Sequence, residues 1–170
     1  SDAIIHNAGI LAPLSETEPD LAHAVNVGGT QNILDAMKMR KTPAVIVFSS
    51  TLSVCGPRRP DGPPFTAEDP AIGTDHYTST KTQCERMLRE SGLPFVIFRI
   101  GMSVGETAAS GDLSPDVFRL LFGIDPDTRC EWVHPADVAL AQARAIQTPE
   151  AFGRTLMIGG GEGCRLTFRE

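Results

Sequence analysis

The chain contains one tyrosine, within Tyr77-Thr78-Ser79-Thr80-Lys81. On a helix, Tyr77 and Lys81 lie one turn apart on the same face. An ammonium beside a phenol favours the phenolate, so the phenol can exchange protons well below its ordinary pKa of roughly 10. Such a pair suits chemistry in which a proton moves at an alcohol or carbonyl oxygen while a hydride moves at the carbon. The same spacing also describes an ordinary exposed helix face, so the elements around it must decide.

Upstream lies Ala44-Val-Ile-Val-Phe-Ser-Ser-Thr51-Leu-Ser-Val-Cys-Gly56. Its apolar run reads as a buried parallel strand that ends in hydroxyls. Ligands of open α/β sheets bind beyond the carboxyl ends of the strands. Thr51 therefore falls where a substrate oxygen could be held opposite Tyr77, although a threonine ending a strand also serves as a cap or turn former.

The rest of the chain alternates strand and helix. Strands are expected near 3–6, 44–50, 94–100, 131–133 and 154–158, and helices near 18–39, 76–91, 115–122 and 136–148. Leu21, Ala24, Val25, Gly28, Ile33 and Met37 supply a helical apolar stripe. Gly92 closes a helix and Pro94 opens a strand. Pro57 to Thr74 is rich in Pro, Gly and Asp and reads as a long surface loop over the region between Thr51 and Tyr77. Alternating β and α units imply a doubly wound α/β fold, a parallel sheet with helices on both faces, and nothing yet about function.

Bulk properties narrow the classes. The 170 residues, 41% of them hydrophobic, can bury the core of one domain. A formal net charge of −6 without a long basic run argues against nucleic acid or an anionic membrane as partner. No apolar stretch approaches the ~18–20 residues that span a bilayer, and a cytoplasmic location is expected. Cys55, Cys84, Cys130 and Cys164 are widely spaced and read as reduced structural thiols. The four histidines form no ligand pattern, so no metal is expected.

Six segments in order resemble the extended short-chain dehydrogenase/reductase family, the group with NAD-dependent sugar epimerases and dehydratases. Asp2-Ala-Ile-Ile-His-Asn-Ala-Gly9 resembles its fourth strand and Asn-Ala-Gly turn. Asn26-Val-Gly-Gly-Thr30-Gln-Asn32 is similar to its Asn-Val-x-Gly-Thr helix. Phe48-Ser-Ser-Thr51-Leu-Ser-Val-Cys-Gly56 matches its hydroxyl-rich strand end, with Cys55 where tyrosine is usual. Tyr77 and Lys81 match its catalytic pair. Phe98-Arg99-Ile-Gly-Met-Ser-Val-Gly105 is similar to Arg-Pro-x-x-Val-x-Gly, with Ile100 replacing proline. Trp132-Val-His134-Pro-Ala-Asp137-Val-Ala139 resembles its Val-His-x-x-Asp-Val-Ala block.

The resemblance implies a Rossmann-like domain over 1–170, with a short substrate-region insertion near 105–131. It implies NAD or NADP as cofactor and a small-molecule substrate, with a sugar or nucleotide sugar in view and a homodimer left open. Tyr77 is carried over as general acid/base. Lys81 would lower its pKa and bind the nicotinamide ribose, and Thr51 would orient the substrate oxygen. Asn26 would support the proton relay or touch the cofactor, although a helix asparagine often bonds neighbouring backbone. Asn7, Ala8 and Gly9 would line the adenosine side, with Phe48, Ser49 and Ile100 near the nicotinamide. His134, Asp137 and Arg99 are read as structural. Members that dehydrate nucleotide sugars usually carry Asp-Glu after the active hydroxyl. Leu52 and Ser53 stand there, which disfavours a 4,6-dehydratase. An NAD(P)-dependent oxidoreductase acting on an alcohol or carbonyl is expected first. A nucleotide-sugar epimerase is the alternative, followed by a non-catalytic NAD(P)-binding or scaffold protein or an inactive fragment.

The glycine-rich turn that opens a dinucleotide fold is missing, since Gly159-Gly-Gly-Glu-Gly163 lacks its spacing and reads as a turn. By comparison with the family the chain begins at the fourth strand. Thr167-Phe-Arg-Glu170 has the form of a capping box opening a helix. The chain is therefore expected to be the middle of a longer protein, or a half-domain that pairs with another chain, with an uncovered strand edge at 3–6. A helix N-terminus supplies much of dinucleotide binding. Calorimetric titration of this chain with NAD(H) or NADP(H) should accordingly show no micromolar affinity.

Overall fold

The computed structural model describes residues 2–42, 44–57, 62–105 and 125–169. The main sheet has four strands, all parallel: β1 (Ala3–His6), β2 (Val45–Thr51), β3 (Phe95–Ile100) and β6 (Arg154–Ile158), in that spatial order. A small sheet joins β4 (Met102–Ser103), β5 (Arg129–Val133) and β7 (Arg165–Thr167), with β5 antiparallel to β7. The helices are α1 (Leu14–Thr17), α2 (Pro19–His23), α3 (Gly29–Lys38), α4 (His76–Glu90) and α5 (Pro135–Ile146).

Strand periodicity builds two cores. Ile46, Phe48 and Ile97 point to one face and meet Val27, Leu34, Met37, Cys84 and Leu88 from the helical layer that holds α3 and α4. Val45, Val47, Val96 and Phe98 point to the other and meet Ala145 of α5 and Ala151. Two buried faces explain why β2 and β3 read as unbroken apolar runs. The register pairs Thr51 with Ile100 and Ile100 with Ile158, so three strands end at one level. β1 forms the sheet's edge, and Ile5 is 43% exposed.

The expected main-sheet strands and the helices α4 and α5 appear within a residue or two of their expected bounds. One expectation is corrected in its detail. The helix expected over 18–39 is present, but α2 runs into a wide π-helical turn, Ala24–Gly28, before continuing as α3. Such a turn carries an extra residue and rotates the inward face. Leu21 and Val25 of the expected stripe are exposed, while Ala22, Asn26, Val27 and Thr30 are buried. The strand expected near 131–133 is β5 and belongs to the small sheet. Thr167 ends strand β7, where residues 165–167 pair with Glu131, Cys130 and Arg129. The helix expected near 115–122 falls outside the described residues.

The helix starts follow from local chemistry. Asp75 caps α4: its carboxylate accepts from the Thr78 amide at 2.7 Å, and the Thr78 hydroxyl oxygen accepts from the Asp75 amide at 3.1 Å. His134 caps α5, its Nδ1 accepting from the Ala136 amide at 3.1 Å, with Pro135 at the first helical position.

A buried ion pair ties α4 to the sheet. Arg99 of β3 donates through Nε and Nη2 to the two Glu85 oxygens at 3.1 and 2.9 Å. Ser50 of β2 adds a 2.6 Å bond to the same carboxylate and Arg89 one of 2.8 Å. Arg99 Nη1 reaches the Asp69 carbonyl at 2.6 Å, which fastens the 62–75 loop. That loop is also stitched to Val54 by the Ile72 and Gly73 amides. Arg99, read from the sequence as structural, makes all these bonds within the fold.

Burial alone would push the Glu85 carboxyl up. The hydrogen bonds from Arg99, Ser50 and Arg89 outweigh it and hold the group below its ordinary 4.5. A depressed folded pKa contributes stability above the unfolded value that is lost as pH falls through the folded one. Removing one partner of such a pair leaves a buried uncompensated charge. Arg99→Met should therefore cost about 3–5 kcal/mol in urea unfolding at neutral pH. Glu85→Gln should be destabilised too, and should lose much of the decline in stability that the unsubstituted chain shows below pH 4.5.

Candidate active site

The carboxyl ends of β1 and β2 and the first two turns of α4 meet around Lys81. Its ammonium donates to the Ser49 carbonyl at 2.8 Å and lies 4.8 Å from the centroid of the Phe48 ring. The Tyr77 ring centroid is 5.9 Å from the same nitrogen. Tyr77 and Lys81 therefore share a helix face, as the spacing requires. Lys81 is 4% exposed, and burial lowers its pKa.

The direction of the Tyr77 shift is a correction. The sequence suggests that Lys81 draws the phenol down. In the structure burial, reinforced by the negative charge of Asp75, pushes it up to about 12. The ammonium faces the Ser49 carbonyl, so its charge is spent on the sheet more than on the phenol. Tyr77 is thus a phenol, a proton donor, throughout the neutral range.

Thr51 ends β2 and caps the 3₁₀ turn Leu52–Cys55, its oxygen accepting from the Ser53 amide at 3.2 Å. That leaves the hydroxyl proton free to point elsewhere. Leu52 is half-buried and Ser53 exposed in this turn. Cys55, standing where the resemblance leads one to expect tyrosine, is buried and takes a 3.4 Å bond from Arg99.

Asn26 sits in the π-helical turn and is 2% exposed. Its Oδ1 accepts from the Ile10 amide at 2.7 Å, and its Nδ2 donates to the Ile10 carbonyl at 3.0 Å and to the Thr80 hydroxyl at 2.9 Å. The amide thus pins the segment after β1 to α4. Behind it, the Asn26 carbonyl accepts from Thr30 Oγ1 at 2.7 Å and Cys84 Sγ at 3.3 Å. His6, 3.0 Å from Thr30 Oγ1, completes this buried cluster.

Gly9 passes close to the same groups. A Cβ there would lie 3.2 Å from Asn26 Oδ1 and 3.4 Å from Lys81 Nζ. Asn7 and Ala8 are exposed beyond β1, Ser49 is half-buried, and Ile100 is half-buried at the end of β3. Phe48 is only 1% exposed, so its ring serves the core and carries Lys81.

Two residues of this region escape a reading of the sequence. Gln142 of α5 is 4% exposed and donates to Asn7 Oδ1 at 2.9 Å and Ser49 Oγ at 2.7 Å, while Ser49 Oγ donates to Asn7 Oδ1 at 2.6 Å. A lone glutamine on the inner face of an alanine-rich helix was the available signal. Glu16 accepts from the amides of His76 and Tyr77, and nothing in its local sequence marks it. Among the described residues no group of three or more His, Cys, Asp or Glu could hold a metal ion, and no helix is long and apolar enough to cross a membrane.

Known proteins are similar to this chain in sequence and fold. The family model described as NAD dependent epimerase/dehydratase matches residues 1–159. The 3 beta-hydroxysteroid dehydrogenase type 7 of Rattus norvegicus is 30% identical over 95 residues, 54% of this chain and 28% of that protein. D-erythronate dehydrogenase of Haemophilus influenzae is 30% identical over 94 residues, 53% of this chain and 28% of its own length. A dTDP-glucose 4,6-dehydratase of Streptomyces venezuelae, solved with NAD and DAU bound, superposes with a TM-score of 0.81 at 27% identity. That match covers 99% of this chain and 54% of the other. RMD from Pseudomonas aeruginosa, complexed with NADPH, gives a TM-score of 0.81 at 21% identity over 99% of this chain and 62% of that one, which shows a common fold.

A single tyrosine makes its electrostatics directly measurable. Tyrosinate absorbance of this chain, read after a rapid pH jump, should titrate with a midpoint near 12. The unfolded chain should titrate near the ordinary value of roughly 10.

Proposed function

The chain belongs to the NAD-dependent epimerase/dehydratase family, and on that premise we propose that it carries the proton-transfer site of an NAD(P)-dependent oxidoreductase acting on an alcohol or carbonyl. The observation that carries this reading is the buried Lys81 ammonium. It is held at the carboxyl end of β2 by the Ser49 carbonyl, on one helix face with Tyr77. A buried lysine costs free energy unless its charge has work to do, and a solvated helix lysine would not be drawn into the sheet.

Tyr77 is the proton donor. Its raised pKa keeps the hydroxyl protonated, so it can give a proton to the oxygen of a carbonyl that is being reduced. In the reverse direction the phenol must first ionise, and the neighbouring Lys81 charge is the group that favours this. Thr51, with its oxygen engaged by the Ser53 amide, directs its hydroxyl proton at the substrate oxygen. Asn26 serves by position: its carboxamide is committed to Ile10 and Thr80 and fixes α4 against the strand ends.

The residues present fit a nicotinamide cofactor. The bare Cα of Gly9 opens the space beside Lys81 and Asn26 that a side chain would fill. Asn7, Ala8, Gly9, Ser49, Lys81, Tyr77 and Ile100 would hold the group, with Phe48 beneath them. When bound, the nicotinamide supplies the hydride donor or acceptor.

Elimination of water remains disfavoured despite the likeness to a 4,6-dehydratase. Leu52 and Ser53 offer no carboxyl beside Thr51 to act as acid or base. The similarity to two dehydrogenases, each over about half of the chain, supports simple oxidoreduction ahead of epimerisation. A cytoplasmic location and a small hydroxylated substrate belong to the same proposal.

The test is steady-state kinetics of an active protein carrying this chain, with cofactor titration of each variant. Tyr77→Phe should reduce kcat by about 10²–10⁴-fold with cofactor affinity nearly unchanged. Lys81→Met should damage both, and Thr51→Ser should be tolerated where Thr51→Ala is not. Near-normal turnover of Tyr77→Phe would make the tyrosine structural and overturn the proposal.

A further inference from the structure

The first amides of a helix have no partner within it. In α4 these belong to His76, Tyr77 and Thr78, and all three are held by carboxylates. Asp75, the adjacent cap, takes the Thr78 amide. The other two donate to Glu16, which lies 61 residues before Tyr77: the Tyr77 amide to Oε1 at 3.0 Å and the His76 amide to Oε2 at 3.2 Å. Ser15, wholly buried, steadies the carboxylate with a 2.9 Å bond to Oε1.

We infer that Glu16 is a positioning residue for Tyr77, a clamp that fixes the backbone of the proton donor against the segment following β1. Three observations carry this. An adjacent cap already serves the helix, so the second carboxylate is not needed to begin it. One of the bonds lands on the backbone of the residue that bears the phenol. Finally, Glu16 belongs to the segment whose Ile10 is pinned by Asn26, and Asn26 in turn donates to Thr80, so this stretch is tied to α4 directly at Tyr77 and through Asn26 at Thr80. A negative group at a helix N-terminus is favourable besides. Burial tends to raise the Glu16 carboxyl, but the amides of Tyr77 and His76 and the Ser15 hydroxyl prevail and lower it, which keeps the clamp charged.

This inference rests on the reading of Tyr77 as proton donor, yet part of its test needs no turnover. Asp75, His76 and Lys81 are the other titratable groups around the phenol, and none of them is substituted when Glu16 is changed. Glu16→Ala should let the first turn of α4 loosen and admit water to the ring. The tyrosinate midpoint should then fall from about 12 toward 10, and protection of the Tyr77 amide in hydrogen exchange should drop. In the active protein kcat should fall by about tenfold with KM little changed, since misplacement of a reacting group acts on the chemical step. Glu16→Gln retains an acceptor oxygen and should restore the midpoint and most of the rate. Glu16→Asp, charged but one methylene short, should behave like Glu16→Ala and guards against a variant that fails to fold. An unchanged midpoint and amide protection in Glu16→Ala and Glu16→Asp would overturn the clamp, even if thermal stability fell. That outcome is separate from failure of the Tyr77 reading, which shows only in Tyr77→Phe.

Discussion

Arg99 and Glu85 meet with two hydrogen bonds in the interior, and the placement of α4 follows from them. Arg99 is 2% exposed and Glu85 fully buried, so neither can satisfy its charge in water. The pair must therefore form in one geometry, with β3, β2 through Ser50, the loop through Asp69 and α4 in fixed relation. A hydrophobic contact could hold the helix as strongly, but it would tolerate sliding. Glu85 lies one turn beyond Lys81 and two beyond Tyr77 on the same helix, so this pair sets how far Tyr77 and Lys81 reach past the strand ends.

The opposite flank of α4 is fixed by polar groups in the π-helical turn. A helix with apolar Leu21 and Val25 turned inward would pack, but it would present no partner to the strand ends. The extra residue of the turn brings Asn26 and Thr30 inward instead. Their buried groups then need partners, and they find them in Ile10, Thr80, Cys84 and His6. Two exposed apolar residues are the cost of a polar junction that locates the Gly9 turn beside Lys81.

Within this frame the electrostatics at Tyr77 and Lys81 oppose each other. Burial raises the phenol and lowers the ammonium, so both groups are pressed toward their neutral forms. Ser49 relieves part of that pressure on Lys81 by offering its carbonyl, and the Phe48 ring adds a polarisable face. The result is a protonated phenol beside a cation whose charge the sheet supports, and the proposed proton transfer rests on that pairing.

The sequence alone determines the main-sheet strands, α4 and α5, because uninterrupted apolar runs and a Gly92-Leu-Pro94 boundary express local physics. It also determines that Tyr77 and Lys81 share a face, since four residues make about one turn. Burial and pairing across the fold depend on distant partners. Nothing near Glu85 or Arg99 announces an ion pair closed between helix and strand, and nothing near Glu16 or Gln142 shows that they reach α4 or β2. The direction of the Tyr77 shift belongs to the same class: the sequence places a lysine one turn away, but only the packed structure shows that burial and Asp75 outweigh it. Spacing fixes which residues are neighbours along one element, whereas desolvation is decided by everything that closes over them.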